Sequence, residues 1–426
     1  MSPIEDHPLR YPMANELHAR PFPAVRAPSR AAYLALKPAR NAAGRDREAD
    51  RAHLIALLDR FGAQHPQPDA THYSGQIGKH MLKWESHTEF VTYTIFGKGI
   101  AERPFDAATF AVFPQDWLDD APGVRITSAL IRVETAVGDD GLLDKVAEWF
   151  VPESLAISRV LDDELVIAGD FRIDVGGHMR FAVFARPKTG KRRTGRVVQR
   201  LCEIETYKAM SMLGLSMVRD LGPKMADIDT RLTKLLADMT GTEAKPDAVL
   251  QELLTASAEL ENTIAQTSFR FGATGAYETI VNQRIGVLRE DRFNGRQTFG
   301  EFMMRRYDPA MRTVHSTETR LQAMSNRAQR ASDLLRTRVD VERSAQNQDL
   351  LTSMDKRADL QLRLQKTVEG LSVVAISYYA VNLVLYVVGP LEKMYDVPKV
   401  LMAAVATPLV VLAVWLMVQR IHKHME

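Results

Sequence analysis

The sequence predicts an α+β N-terminal domain, a helical domain ending in one long stalk helix, and a C-terminal two-helix transmembrane hairpin. Three observations carry this. Two uncharged apolar runs lie in the last 56 residues. Strand-like alternation stops near residue 196 and helix-like spacing takes over. Between Pro309 and Gly370 about 60 residues pass without a proline or glycine.

The chain has 426 residues, with 55 Lys+Arg against 53 Asp+Glu and a formal net charge of +2. That balance supplies no broad positive field, so no nucleic-acid partner is expected. Charged residues make up 25% and hydrophobic ones 46%, which excludes a disordered chain and a polytopic bundle of lipid-facing helices. The single cysteine, Cys202, cannot form an internal disulfide and fits a reducing compartment.

Residues 1–30 are rich in Pro, Arg and His and read as an N-terminal arm. His7, His18 and Arg20 could make it a binding arm; capping a domain edge is the plainer reading. The stretch MSPIEDHPLRYPM has no apolar core, so no signal peptide is expected there. Residues 31–196 form the predicted α+β domain. Strands are expected over 31–36, 80–96, 124–133, 154–160, 165–174 and 180–185, with helices over 47–61 and 142–149. Gly176-Gly177 would supply the positive φ angles of a tight hairpin turn. The basic segment 188–196 (KTGKRRTGR) could meet anionic lipid heads or be a solvated loop.

Residues 197–309 read as helices over 197–221, 224–239, 247–265 and 274–290, punctuated by Gly222-Pro223 and Asn294-Gly295. Residues 310–370 form the stalk. At 1.5 Å per residue it would run for roughly 90 Å. Its sparse apolar seam (Val314, Leu321, Met324, Ala328, Ala331, Leu335) resembles a coiled coil, so copies of the chain or the preceding helices must cover it.

The first apolar run, 371–391 (LSVVAISYYAVNLVLYVVGPL), and the second, 401–418 (LMAAVATPLVVLAVWLMV), each suit a hydrocarbon layer roughly 30 Å thick. Residues 392–400 are the short connecting loop and 419–426 a basic tail. Lys356, Arg357, Arg363 and Lys366 precede the first span, and Arg420 and Lys423 follow the second. The positive-inside rule then predicts both termini in the cytoplasm and the short loop outside.

None of the P-loop, HExxH, GxSxG, CxxC or strand-linked GxGxxG patterns is present, so no enzyme activity and no cofactor are expected. The candidate metal ligands are Glu85, His87 and Glu89 in KWESHTEF. On a strand they would point to one face, and a histidine with two carboxylates is acceptable ligand chemistry; a solvated strand face is the competing reading. In the first span Ser372, Ala375, Tyr379, Asn382, Tyr386 and Gly389 recur at threes and fours and share a face. They could line a pore or join helices by hydrogen bonds. With a pore, Glu369 at the inner mouth and Glu392 and Asp396 at the outer one would form carboxylate rings.

The segments RLCEIETYKAM (200–210), FRFGATGAY (269–277), TFGEFMMRRYDPAMRT (298–313), RASDLLRTRVDV (330–341) and LQLRLQKTVEGLSVVAISYYAVNLV (360–384), with LKWESHTEF and the N-terminal HPLR…ELHARPF, resemble an uncharacterised bacterial membrane-anchored protein family of unknown function. The likeness covers nearly the whole chain and implies architecture without a reaction. The order of parts is also similar to that of CorA-type divalent-cation channels, which implies a homo-oligomer, a pentamer if CorA-like, with the first span lining an axis. CorA-type channels end that span in Gly-Met-Asn. Here Gly389 is followed by Pro390-Leu391, so their selectivity apparatus does not transfer. The layout is similar, too, to membrane-anchored proteins related to required-for-meiotic-division factors, which resemble scaffolds. The expected function is a membrane-anchored homo-oligomeric scaffold or assembly factor contacting lipid, with a cation channel as the alternative.

Overall fold

The computed structural model describes residues 4–16, 22–39, 44–68, 70–136, 138–240, 245–395 and 398–425. It divides into two units. The first comprises residues 1–242 and 251–331, the second residues 243–250 and 332–426.

In the first unit nine strands, counted among the described residues, form one mixed sheet. In chain order they are β1 (Ser29–Lys37), β2 (His72–Ile77), β3 (His80–Ser86), β4 (Val91–Lys98), β5 (Val124–Thr135), β6 (Ala156–Val160), β7 (Leu165–Gly169), β8 (Met179–Ala185) and β9 (Asp291–Arg292). The spatial order is β2-β3-β4-β1-β5-β8-β7-β6-β9. Only the β5–β8 pairing is parallel. A parallel pair needs a crossover connection, and α4 (Asp139–Trp149) lies within the segment that provides it.

Strand β1 (SRAAYLALK) is central and buried on both faces. One face packs Leu34, Leu36, Trp84 and Tyr93 against Leu54, Leu57 and Leu58 of α2 (Arg47–Arg60) and against Phe113 and Trp117, the latter in the short α3 (Gln115–Asp119). Asp46 starts α2 by accepting from the backbone N–H groups of Glu48 (2.9 Å) and Ala49 (3.1 Å), which satisfies two orphan donors. Further along the sheet α4 lays Leu142, Val146 and Trp149 on Ile157, Val166 and Phe184. On the other face runs α5 (Lys191–Thr240), whose Thr206 hydroxyl bonds the Tyr33 hydroxyl of β1.

Helix α5, α6 (Pro246–Gly286) and the first part of α8 (Asp308–Tyr395) pack together, with α7 (Phe299–Arg306) preceding α8. Ser211 meets the hydroxyl of Tyr307 (2.7 Å), the residue before α8; Asp229 pairs with Arg320 (2.8 Å) and Arg327; His315 meets Glu278 (2.7 Å). These partners rise together along α5 and α8, whereas on α6 they run in reverse (Glu203 with Arg284, Arg231 with Glu259), so α6 is antiparallel to both. Gly214 permits the α5–α6 approach, because a Cβ there would stand 2.4 Å from the Thr274 hydroxyl. In the second unit α8 continues without a break through residue 395, and α9 (Lys399–Met425) follows.

Several local expectations are corrected. Gly222-Pro223 does not end a helix: α5 carries Pro223 inside it, at the loss of one backbone hydrogen bond. The segments 247–265 and 274–290 are one helix, α6, ending at Gly286. The expected strand 80–96 is two, β3 and β4, separated by a turn at residues 87–90. Of the Gly176-Gly177 pair only Gly177 has a positive φ (+83°), within a nine-residue connection between β7 and β8 rather than a two-residue turn. The segment 191–196 lies in the first turns of α5.

His53 of α2 is buried and its protonation is fixed by its partners. Nε2 lies 2.9 Å from the Trp117 carbonyl, which can only accept, so Nε2 carries the proton. Nδ1 then accepts from the Tyr93 hydroxyl at 3.1 Å. Burial holds His53 below its ordinary value despite the favourable Trp117 carbonyl. The unfolded chain takes up a proton near pH 6.5, where the folded state still excludes it. Stability is therefore complete above about pH 6.5 and falls as the pH drops below it. The unfolding temperature of the detergent-solubilised chain should decline from pH 7 to pH 5, and His53→Gln should flatten that decline; an unchanged slope contradicts the assignment.

Candidate functional site

Two places in the fold concentrate polar chemistry in apolar surroundings: the β3–β4 turn and the apolar helix pair. At the turn, Glu89 is 1% exposed. Arg270 of α6 grips its carboxylate with two nitrogens, one at 3.3 Å and one closer, and the Tyr277 hydroxyl donates to it at 2.9 Å. A buried charge demands such pairing, and the guanidinium fork matches a carboxylate. Burial and the Glu89 charge push the Tyr277 hydroxyl well above the ordinary phenol range, so it stays a donor. Arg45 holds the turn from its other side, bonding the Ser86 hydroxyl (2.8 Å) and the carbonyls of His87 and Thr88, and pairing with Asp50. The His87 ring stacks on Phe90 (centroids 4.4 Å apart), and Tyr207 of α5 stacks on Tyr277 (5.5 Å).

This arrangement places the expected ligand set in three different settings. Glu85 is at the end of β3 and pairs with Lys83 (3.0 Å). His87 and Glu89 lie in the turn, where the two-residue alternation of a strand does not apply. Glu89 is committed to Arg270 and Tyr277. Among the described residues no group of three or more His, Cys, Asp or Glu is arranged to hold a metal ion.

Beside the turn, a cavity of about 20 Å³ lies between the sheet and α5, against Lys83, Glu85, His87, Tyr33, Cys202 and Thr206. That is room for about one water molecule, too little for an organic substrate. Burial pushes the Cys202 thiol well above the ordinary range, so the unreactive protonated form persists.

Among the described residues two helices, α8 and α9, are long and apolar enough to cross a membrane. The half-buried or buried positions of α8 include Val373, Ser377, Ala380, Val381, Val384 and Val388, spaced mostly by threes and fours. Those of α9 include Ala403, Ala406, Val410, Val414 and Val418. On each helix these positions fall along one side. Ser372, Ala375 and Tyr379 are exposed on the side away from those positions, and half-buried Asn382 and exposed Tyr386 continue that stripe to a groove shared with α9. Asn382 donates Nδ2 to the Tyr378 carbonyl (3.0 Å), its single side-chain bond among the described residues. A groove of about 570 Å³ runs between Asn382, Tyr386 and Gly389 on α8 and the first turn of α9. Glu369 accepts from Gln365 (3.0 Å) and is half-buried. Glu392 falls in the last turn of α8, while Asp396, like His18 and Arg20, lies outside the described residues. His7 is exposed.

The sequence matches, over residues 5–425, the family described as "Protein of unknown function (DUF3422)". The chain belongs to that family. No curated protein matches the chain, and no solved structure does. Three of the segments that carry the likeness to an uncharacterised family meet at the turn just described: LKWESHTEF supplies Glu89, RLCEIETYKAM supplies Tyr207, and FRFGATGAY supplies Arg270 and Tyr277. Reading KWESHTEF as a ligand set missed Arg270, because the partner lies 181 residues away.

Glu89→Ala should destabilise the first unit by about 3 kcal/mol, since it leaves the half-buried Arg270 guanidinium without its counter-charge. Glu89→Leu combined with Arg270→Met should recover most of that loss. Urea unfolding followed by tryptophan fluorescence of the four single and double variants measures the coupling, and additive losses would contradict a direct pair.

Proposed function

We propose that this DUF3422 chain is a membrane-anchored homo-oligomeric protein of the bacterial inner membrane, acting as a non-catalytic scaffold or assembly factor with its sheet and helical portions in the cytoplasm. The observation that carries this reading is the outward surface of the helix pair. Leu371 is 67% and Leu409 62% exposed, and exposed Val, Leu, Ile and Tyr recur all along the sides of α8 and α9 that the partner helix leaves open. Such a surface exceeds what monomeric soluble proteins present to water. Both segments are helical throughout, so apart from the one bond lost at each of Pro390 and Pro408 their backbone groups are paired internally, as a hydrocarbon layer requires. Basic residues at 356, 357, 363 and 366 and at 420 and 423 support cytoplasmic ends for both helices.

The polar stripe of Ser372, Tyr379 and Asn382 along the first span favours a second reading, a cation channel whose first span lines a shared pore. The two readings differ in flux. Purified protein reconstituted in vesicles should pass no selective cation current under the scaffold reading. A current abolished by Asn382→Leu would replace it with the channel reading. Carbonate washing of expressing membranes should leave the chain in the pellet, and release into the supernatant would contradict the anchor.

A further inference from the structure

From residue 340 to residue 368 every side chain of α8 is exposed. At 1.5 Å per residue this is about 43 Å of helix with no cover from its own chain. A helix gains most of its stability from packing an apolar stripe, so one of this length needs a partner. The stripe can be read from spacing. Leu364, Ala375 and Tyr386 are eleven residues apart, as are Val368 and Tyr379, and Leu371 and Asn382. Eleven residues make three turns at about 3.67 residues per turn, so these side chains keep one face over many turns. Upstream, Leu350 and Met354 lie on the same face, beyond a polar interruption at Arg357 and Gln361.

From Leu364 to Tyr379 the stripe residues are exposed, and at Asn382 and Tyr386 the stripe borders the groove beside the first turn of α9. Asn382 has one N–H and its Oδ1 without a partner among the described residues, and the hydroxyls of Tyr379 and Tyr386 have none. In hydrocarbon such groups seek partners on another helix.

The occupant is limited by what it must match at each height. Lipid can cover residues 371–386 but not the charged stretch 340–369 before them. A soluble helix can cover the charged stretch but not the apolar one. One helix that is polar along the first part and apolar along the second, changing at the same level, covers both, and α8 itself has that character. We infer that the face of α8 marked by Val368, Ala375, Tyr379, Asn382 and Tyr386 is the contact between parallel copies of this chain, continuous from the charged segment into the apolar one. This inference rests on the membrane-anchored reading. The symmetry of identical copies brings each stripe residue near its own counterpart, so Asn382 amides can donate to and accept from one another.

Single cysteines test it in native membranes. Val368→Cys and Leu364→Cys lie on the stripe; Lys366→Cys and Asp359→Cys lie on the opposite face. Cys202 is buried and serves as the silent background. Mild oxidation should give covalent dimers from the first pair several-fold more than from the second. In mild detergent Asn382→Val should lower the oligomer-to-monomer ratio about threefold or more, in line with interhelical hydrogen bonds of this kind. Equal cross-linking from both faces, or monomers throughout, overturns the inference. Carbonate extraction of the same membranes separates the causes. A pelleted chain that does not cross-link sinks the interface alone, and an extracted chain sinks the anchor and the interface together.

Discussion

The change from charged to apolar side chains inside one unbroken helix is the constraint on which this architecture depends. Glu369 and Gly370 are followed by 21 uncharged residues, 371–391, and α8 continues helical through all of them, losing only the bond that Pro390 cannot donate. A loop at that point would have to satisfy its backbone polar groups in surroundings that offer none, whereas a continuing helix satisfies them within the segment. The same continuity fixes rotation. Once Val373, Ser377 and Ala380 are committed to α9, the azimuth of Tyr379 and Asn382 follows from about 100° per residue, and so does that of Leu364 and Val368 a few turns earlier.

The first unit solves a different problem, the pinning of long helices to a sheet. Small and β-branched residues make β1 and β5 buried on both faces, which leaves few polar handles. Those that exist are used at close quarters: Tyr33 with Thr206, Thr127 with Glu205 (3.1 Å), and Glu89 with Arg270 and Tyr277. Buried pairs of this kind specify one arrangement strongly, because a shifted helix would strand a charge away from water. Glu290 plays a related part for α7. It accepts from the Ser158 hydroxyl (2.6 Å) and from the backbone of Phe299 (3.0 Å) and Gly300 (2.8 Å), although burial raises its carboxyl above the ordinary value.

Much of this was legible in the residues, and the failures have physical causes. Strands β1, β5, β6 and β8 announce themselves by β-branched and apolar runs, and the helix expected over 47–61 matches α2 to within one residue. Strand β2 (HYSGQI) was invisible, since an edge strand is held by ladder hydrogen bonds and needs little apolar character. Gly222-Pro223 looked like a break because local propensity disfavours it, yet tertiary packing carried α5 through. The turn at 87–90 was hidden inside an apolar-polar alternation, which made residues of a turn look like one face of a strand. Pairings such as Glu89 with Arg270 are non-local and leave no signature in either segment alone. The apolar runs and the shared face of Ser372, Ala375, Tyr379 and Asn382 were readable because both depend only on composition and helical angle.

Everything proposed for the second unit depends on where water ends along α8. The most direct test is a scan of single cysteines from residue 356 to residue 390, labelled in native membranes with a small water-soluble thiol reagent. Reactivity should be high through about residue 368, fall to background across the stretch beginning at 371, and stay low on the α9-facing and opposite faces alike. Sustained labelling of every turn through the apolar run would contradict the membrane span.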